Sequence, residues 1–353
     1  MQTLIKSLFL MFMFISVLRI SLMAERRMTD IYWIDVEGGG ATLVVTPSGE
    51  SILIDAGENL DRDASRIHHV VTRVAGVKQV DHVVTTHWHS DHFGGVYKLS
   101  QLVPLKRFYA NRRIPESLSE YQQSPFPVLK SLYQKAVQEN SQILKPGDSL
   151  PLKQGRDLPQ LVIECIASDR IVASAGMSDS LSNPVCSKKK SGLPDESDNA
   201  RSLVLRLKYG AFTFLNTGDL TWNMEERLVC PADRIGPVDL FQISHHGLDQ
   251  SNNPVLIESI RPRVVIINNA PSKGAEPKTM KTLKATHGIE TIWQLHRNVQ
   301  IRPELNAAPQ FIANYGDNDD NDEAKYIKAS AQPDGAFSVQ IGQSGTRRDY
   351  LPR

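Results

Sequence analysis

Between residues 87 and 92 the chain reads His-Trp-His-Ser-Asp-His, and this run constrains the fold more than any other feature. Three imidazoles and a carboxylate fall within six residues, directly after the apolar stretch 81–86 (DHVVTT). Neutral imidazole and carboxylate are the donors a zinc-type divalent ion prefers. If the backbone stays extended, His87 and His89 point the same way, while Asp91 and His92 turn off in a second direction. Such an arrangement can hold two ions a few ångströms apart, as a two-metal hydrolase requires. A surface loop rich in histidine by chance is the plainer explanation. Against it, the whole chain of 353 residues has ten histidines, and three stand here.

The spacing His87-x-His89-x-Asp91-His92, followed by Phe93-Gly94-Gly95, resembles the signature of the metallo-β-lactamase superfamily. The resemblance implies an α/β fold, a four-layer αββα sandwich, with metals at one edge between the ends of two sheets. It implies that His87 and His89 bind one ion and that Asp91 and His92 bind the other. Asp219, in the turn Asn216-Thr217-Gly218-Asp219, then serves as the bridging carboxylate. Asp55, in the run LIDAG, is expected behind the metals, orienting a ligand histidine. One of the doublet His245-His246 ligates the second ion, with His246 favoured. The other contacts substrate or passes a proton to the leaving group.

One departure from the superfamily pattern matters. No histidine lies between His92 and His245, so the first ion keeps His87, His89, Asp219 and water or another donor. The stretch Asp198-Asn199-Ala200-Arg201-Ser202-Leu203-Val204 resembles the N-x-x-S-L-V element of the branch related to the hydrolase domain of the competence protein ComEC. His245-His246-Gly247 resembles that branch too, and the phosphorylcholine esterase group within it. Asn199 or Asp198 is therefore expected to line the site, Asn199 contacting substrate or water, with a loop cap as the alternative. The cofactors implied are two zinc ions, the first weakly held and open to exchange for manganese.

Around this motif the chain reads as short apolar strands alternating with amphipathic helices. Strands are expected at 31–36, 41–46 and 51–54, then at 106–110, 161–167, 202–208, 211–215, 238–243 and 264–267, with a final strand at 289–295. Helices are expected at 63–75, from Gly94 to about Leu102, at 118–140 with breaks near Pro125 and Pro127, and at 254–260 and 278–287. Two successive β-then-α halves are what a four-layer sandwich produces. The hydrolase domain is placed at 28–300, with a polar surface insertion at 171–199 that carries Lys188-Lys189-Lys190. Residues 301–353 form an extension packing on the same domain, including a solvated acidic loop at 317–322.

The segment 1–24 reads as a signal peptide or N-terminal anchor. Lys6 precedes the apolar run 8–18 (LFLMFMFISVL), too short for a stable membrane span, and Ala24 marks a cleavage position. The chain is then exported, periplasmic or extracellular; translation starting at Met23 or Met28 would leave it cytoplasmic. Cys165, Cys186 and Cys230 form no framework by count or spacing. Cys186 and Cys230 can pair if they meet in space, and bystander thiols are the simpler expectation.

The chemistry follows from the ions, which acidify a shared water and polarise the scissile group. Asp91 would orient the attacking hydroxide, and His245 or His246 would neutralise the departing oxygen. The absence of a G-x-S-x-G elbow argues against a serine hydrolase. The first reading is a metal-dependent phosphodiester hydrolase, a nuclease or phosphodiesterase. With a net charge of +1, nucleic acid is possible but not indicated. Hydrolysis of a lactone or β-lactam is the alternative for a small-molecule substrate, and a non-catalytic metal-binding module is a third.

Overall fold

The computed structural model describes residues 28–121, 125–138, 140–155, 158–173, 182–188, 194–316 and 325–353. The N-terminal leader, Lys189 and Lys190, much of the polar insertion and the acidic run 317–322 lie outside the described residues.

The strands in chain order begin with β1 (Thr29–Ile34), β2 (Thr42–Val45), β3 (Ser51–Ile54), β4 (Val80–Thr85), β5 (Leu105–Ala110) and β6 (Ser141–Ile143). A second series follows with β7 (Leu161–Ser168), β8 (Ile171–Val172), β9 (Val204–Tyr209), β10 (Phe212–Asn216), β11 (Leu240–Gln242), β12 (Val264–Ile267), β13 (Thr291–His296) and β14 (Ile312–Asn314). Three more close the chain, β15 (Tyr326–Ala331), β16 (Phe337–Ile341) and β17 (Arg347–Tyr350). They build two mixed sheets, in the spatial orders β17-β16-β15-β1-β2-β3-β4-β5-β6 and β14-β13-β12-β11-β10-β9-β7-β8.

Between the sheets lies a core that includes Trp33, Val44, Ile52, Val84, Phe214, Leu240, Ile266 and Trp293, none more than 1% exposed. Burying side chains of this size contributes roughly 1.5–3 kcal/mol each. The Trp33 indole donates to Gln242 Oε1 across the two sheets at 2.9 Å, so the one polar atom of that ring is satisfied. A second apolar cluster covers the outer face of the first sheet with α1 (Asp61–His69), α2 (Ser90–Phe93), α3 (Val96–Ser100) and α4 (Phe126–Val137). A third covers the second sheet with α5 (Trp222–Val229), α6 (Pro254–Ile260) and α7 (Pro277–Ala285). Helices on both outer faces of two stacked sheets make four layers.

Some elements depart from the periodicity. The helix expected over 63–75 is α-helical only to His69 and widens into a π turn at Val70–Val74. The Thr72 hydroxyl donates to the His68 carbonyl at 2.8 Å. The Ala75 N–H reaches back to the Val70 carbonyl, the longer spacing of a π turn. Among its described residues the span 118–140 holds a 3-10 turn at Ser119–Tyr121 and then α4, because Pro127 suits a first turn and not an interior.

The strand expected to be final is not. β15 pairs antiparallel with β1 from Thr29↔Ala331 to Ile34↔Tyr326, so the C-terminal segment covers an edge of the first sheet. The polar stretch read as a surface insertion turns inward at its end, where Asp198 and Asn199 are 2% and 6% exposed. Cys186 and Cys230, for which bystander thiols were the simpler expectation, form a disulfide. It ties the turn Pro184–Lys188 to the residue that follows α5.

Candidate metal centre

β3 and β4 run parallel, β10 and β11 run parallel, and β2 and β9 run antiparallel to their neighbours. The ends of β3, β4, β10, β11 and β12 and the beginnings of β2 and β9 therefore meet at one edge. Residues that follow or precede those strands converge there: Gly38–Gly40, Asp55, His87–His92, Asn199, Asp219, His245–His246 and Asn268.

At this edge Asp91, His92, Asp219 and His246 each offer a ligand atom within 4.8 Å of the others. His92 Nε2 lies 3.2 Å from Asp219 Oδ2 and 3.7 Å from Asp91 Oδ2. His246 Nε2 lies 3.3 Å and 3.5 Å from the same two oxygens. Donor atoms bound at zinc distances in a tetrahedron stand about 3.3 Å apart. The Nε2 atoms of His87, His92 and His246 are buried and have no hydrogen-bond partner among the described residues. Orphaned buried imidazole nitrogens are costly unless something else satisfies them. The donor set fits a divalent cation.

The opposite edge of each ring is held. Asp55 Oδ2 lies 2.8 Å from His92 Nδ1, and the same carboxylate accepts from the Thr86 N–H and hydroxyl at 2.8 Å each. His246 Nδ1 lies 3.1 Å from the Asn268 carbonyl oxygen. Both contacts fix which nitrogen faces the site. Gly40 allows the approach: a Cβ there would stand 2.7 Å from His92 Nδ1 and 2.9 Å from Asp55 Oδ2. Asp55→Asn is accordingly expected to weaken metal affinity about 10–100-fold with the fold intact. Titration with a chelating competitor checks this, and unchanged affinity would remove Asp55 from the account.

The doublet sits on a strained loop. His245 and His246 have φ of 52° and 54°. Non-glycine residues enter that region at a cost of about 1–3 kcal/mol each. Surrounding bonds over-determine it. Asn252 accepts the Ser244 N–H and donates to the Ser244 carbonyl, both at 3.1 Å, and Ala275 N–H donates to the His246 carbonyl at 2.9 Å. Behind them Glu225 accepts the N–H groups of Asn252 and Asn253 at 2.9 and 2.7 Å.

Burial pushes the Glu225 carboxyl up to about 7 from its usual 4.5, against the hydrogen bonds it accepts. Its proton is held more tightly in the folded chain, so its contribution is complete below pH 4.5 and fades as pH rises through 7. Wild type should lose on the order of 3 kcal/mol relative to Glu225→Gln across that window. Urea unfolding of both proteins at pH 5 and pH 8 checks it, and a pH-independent difference would contradict it.

The charges of the site are set by proximity. Burial opposes ionisation of Asp219, but His246, His92 and His245 outweigh it and hold the carboxyl well below its usual range. Burial likewise opposes the Asp91 charge, and His92 and Lys273 overcome it. Burial, with His92 and His89 beside it, drives His87 well below its usual value, which leaves a neutral ring suited to ligation. Burial pushes His245 down to about 4 against the pull of Asp219.

Other expected residues stand apart from the quartet. His87 Nε2 is 4.0 Å from Asp219 Oδ2. His89 faces Glu120, Nε2 to Oε1 at 3.1 Å, and Glu120 also accepts the Asp198 N–H at 2.7 Å. His245 Nε2 is 3.5 Å from Asp219 Oδ2 and 3.3 Å from the Asn199 amide, whose Oδ1 is buried without a partner among the described residues. The Asp198 carboxylate is taken by the Trp88 N–H and by Arg112. Sequence reading missed Lys273, Glu120, Glu225 and Asn268. Only Lys273 had a local signal, a lysine between Ser272 and Gly274 beyond a strand end.

The fold is the metallo-beta-lactamase fold, a layered α/β sandwich of a class generally made of metal-dependent hydrolases. Residues 35–164 match the model of the metallo-beta-lactamase superfamily. It is 25% identical to ComE operon protein 3 of Bacillus subtilis (strain 168) over 239 residues, 67% of this chain and 25% of that protein. It is 38% identical to lactamase-like protein notP of Aspergillus sp. (strain MF297-2) over 66 residues, 19% of this chain and 20% of that one. The match thus spans a quarter or less of these curated relatives. A metallo-beta-lactamase from Cronobacter sakazakii has 15% identity and a TM-score of 0.36, covering 75% of this chain and 76% of that one.

Proposed function

We propose that this protein is a zinc-dependent hydrolase of phosphodiesters. The observation that carries the reading is the buried quartet Asp91, His92, Asp219 and His246, with its unpartnered Nε2 atoms turned to one point. A divalent ion there supplies Lewis acidity and an acidified water. The chain's residues do the rest. Asp219 presents one oxygen to His92, His246 and His245, so it fixes the spacing of the donors. His245, kept neutral by burial, lies outside the quartet and next to Asn199, which favours contact with substrate over donation of a proton to the leaving oxygen. Asn199 offers a free amide oxygen to a substrate hydroxyl or water. His87 borders a second, weaker position, for which His89 would have to leave Glu120. The resemblance of the stretch Asn199–Val204 and of His245-His246-Gly247 to the ComEC hydrolase branch is what favours a phosphodiester over other substrates.

A second reading, hydrolysis of a lactone or β-lactam carbonyl, takes its support from the lactamase-like fungal relative. Among the described residues no helix is long and apolar enough to cross a membrane. The disulfide favours an oxidising compartment, and with it export.

The test is metal content per chain together with turnover of bis(p-nitrophenyl) phosphate, a chromogenic cephalosporin and a lactone. Diester turnover that disappears in His92→Ala supports the first reading. Turnover of the cephalosporin or lactone alone supports the second. Metal retained with no turnover on any of the three would leave a binding role.

A further inference from the structure

Lys273 stands in the loop between β12 and α7, outside the sequence motifs that supply the quartet. The loop is clamped. Gly274, at φ 80°, lies so close to the His246 backbone that a Cβ would stand 2.2 Å from its carbonyl oxygen. Glu276 N–H donates to the Gly247 carbonyl at 2.9 Å, and the Asn298 amide donates to the Gly274 carbonyl at 2.7 Å. The Lys273 side chain is therefore presented from a fixed backbone. Its Nζ donates to Asp91 Oδ2 at 2.5 Å and to the Gly38 carbonyl at 2.6 Å.

An ammonium has three donors, and these two contacts leave one without a partner among the described residues. The side chain is 39% exposed, against 14% for Asp91, 4% for Asp219 and none for His246. The quartet forms the floor, and Lys273 stands at its lip with a face open to solvent. Asp219 and Glu58 are the other carboxylates near enough to feel Lys273, and Glu58 Oε1 accepts the Ser90 hydroxyl at 3.0 Å. A cation that served only to neutralise Asp91 would be redundant once a divalent ion binds that carboxylate. An exposed, pre-positioned ammonium beside such an ion is suited to a second negatively charged oxygen.

We propose that Lys273 forms an anion subsite at the lip of the metal centre, receiving a non-reacting, negatively charged oxygen of the substrate. Its identification with a phosphodiester oxygen rests on the function proposed above; the subsite itself does not.

The probe is inorganic phosphate, titrated calorimetrically into the metal-loaded full chain, with metal per chain measured in every sample. Lys273→Met should bind phosphate about 10–100-fold more weakly than wild type, the size of one charge-assisted hydrogen bond. Lys273→Arg, which keeps the charge, should stay within about threefold. Wild-type phosphate affinity in Lys273→Met with full metal would overturn the subsite. So would loss of metal in that variant, which would make Lys273 a support of Asp91 and nothing more. If wild type turns over no diester while phosphate binding still depends on Lys273, the phosphodiester reading fails and the subsite stands. If the diester is turned over, Lys273→Met should raise KM with kcat little changed.

Discussion

On the function proposed above, Asp219→Ala is expected to abolish tight metal binding and to lower hydrolysis on the order of 10³-fold, the equivalent of several kcal/mol of lost charge stabilisation. The residue is the hub of the site. One of its oxygens lies within 3.5 Å of three imidazole nitrogens, those of His92, His245 and His246. Removing it leaves those rings with no anion between them and takes away a donor that a bound ion would use. The loss should exceed that from His89→Ala, because His89 is turned to Glu120 and outside the quartet. Elemental analysis after dialysis, alongside turnover, measures both effects. If Asp219→Ala keeps its metal while His89→Ala loses it, the order of importance is reversed and the quartet is not the primary site.

Removing the disulfide should produce the largest change in stability. Cys186 and Cys230 are 44 residues apart in sequence. Closing a loop of that length in the unfolded chain is worth about 4 kcal/mol by the chain-entropy argument. In a chain of 353 residues that corresponds to a fall in Tm of roughly 5 °C. The bridge also has neighbours that depend on it. The Asn183 side chain donates to the Val229 carbonyl at 3.0 Å and to Ser259 Oγ at 2.7 Å, joining the bridged turn to both α5 and α6. Melting curves of wild type and the Cys186→Ser/Cys230→Ser variant, with and without reductant, make the check. Reductant should lower wild type to the level of the variant and leave the variant unchanged. A variant as stable as oxidised wild type would show that the bridge does no more than decorate a turn already held by packing.

The alternation of short apolar strands and amphipathic helices was legible because its cause is local. Val83 and Val84 stand on opposite faces of one strand and are both buried, and a strand covered on both faces has to be apolar throughout. The chain's tail was harder to read. Tyr326–Ala331 holds Lys328 and Ser330 on its half-exposed side, so its apolar signal is weak, and only pairing with β1 makes it a strand. The disulfide was illegible for a similar reason, since spacing says nothing of whether two thiols approach.

Residues 87–92, the turn at Asp219 and the histidine doublet each carried the mark of metal chemistry in the chain itself, because a ligand must be a particular side chain wherever it sits. Which of them share one point was settled only by folding. Parallel pairing of β3 with β4 and of β10 with β11 brought the strand ends to one edge. Strained backbone at residues 245–246 then turned His246 into the quartet, and Glu120 drew His89 aside. Lys273 joined through a loop with no motif of its own. Donor identity is a property of single residues, whereas donor geometry, burial and charge depend on neighbours that the chain brings from far along its length.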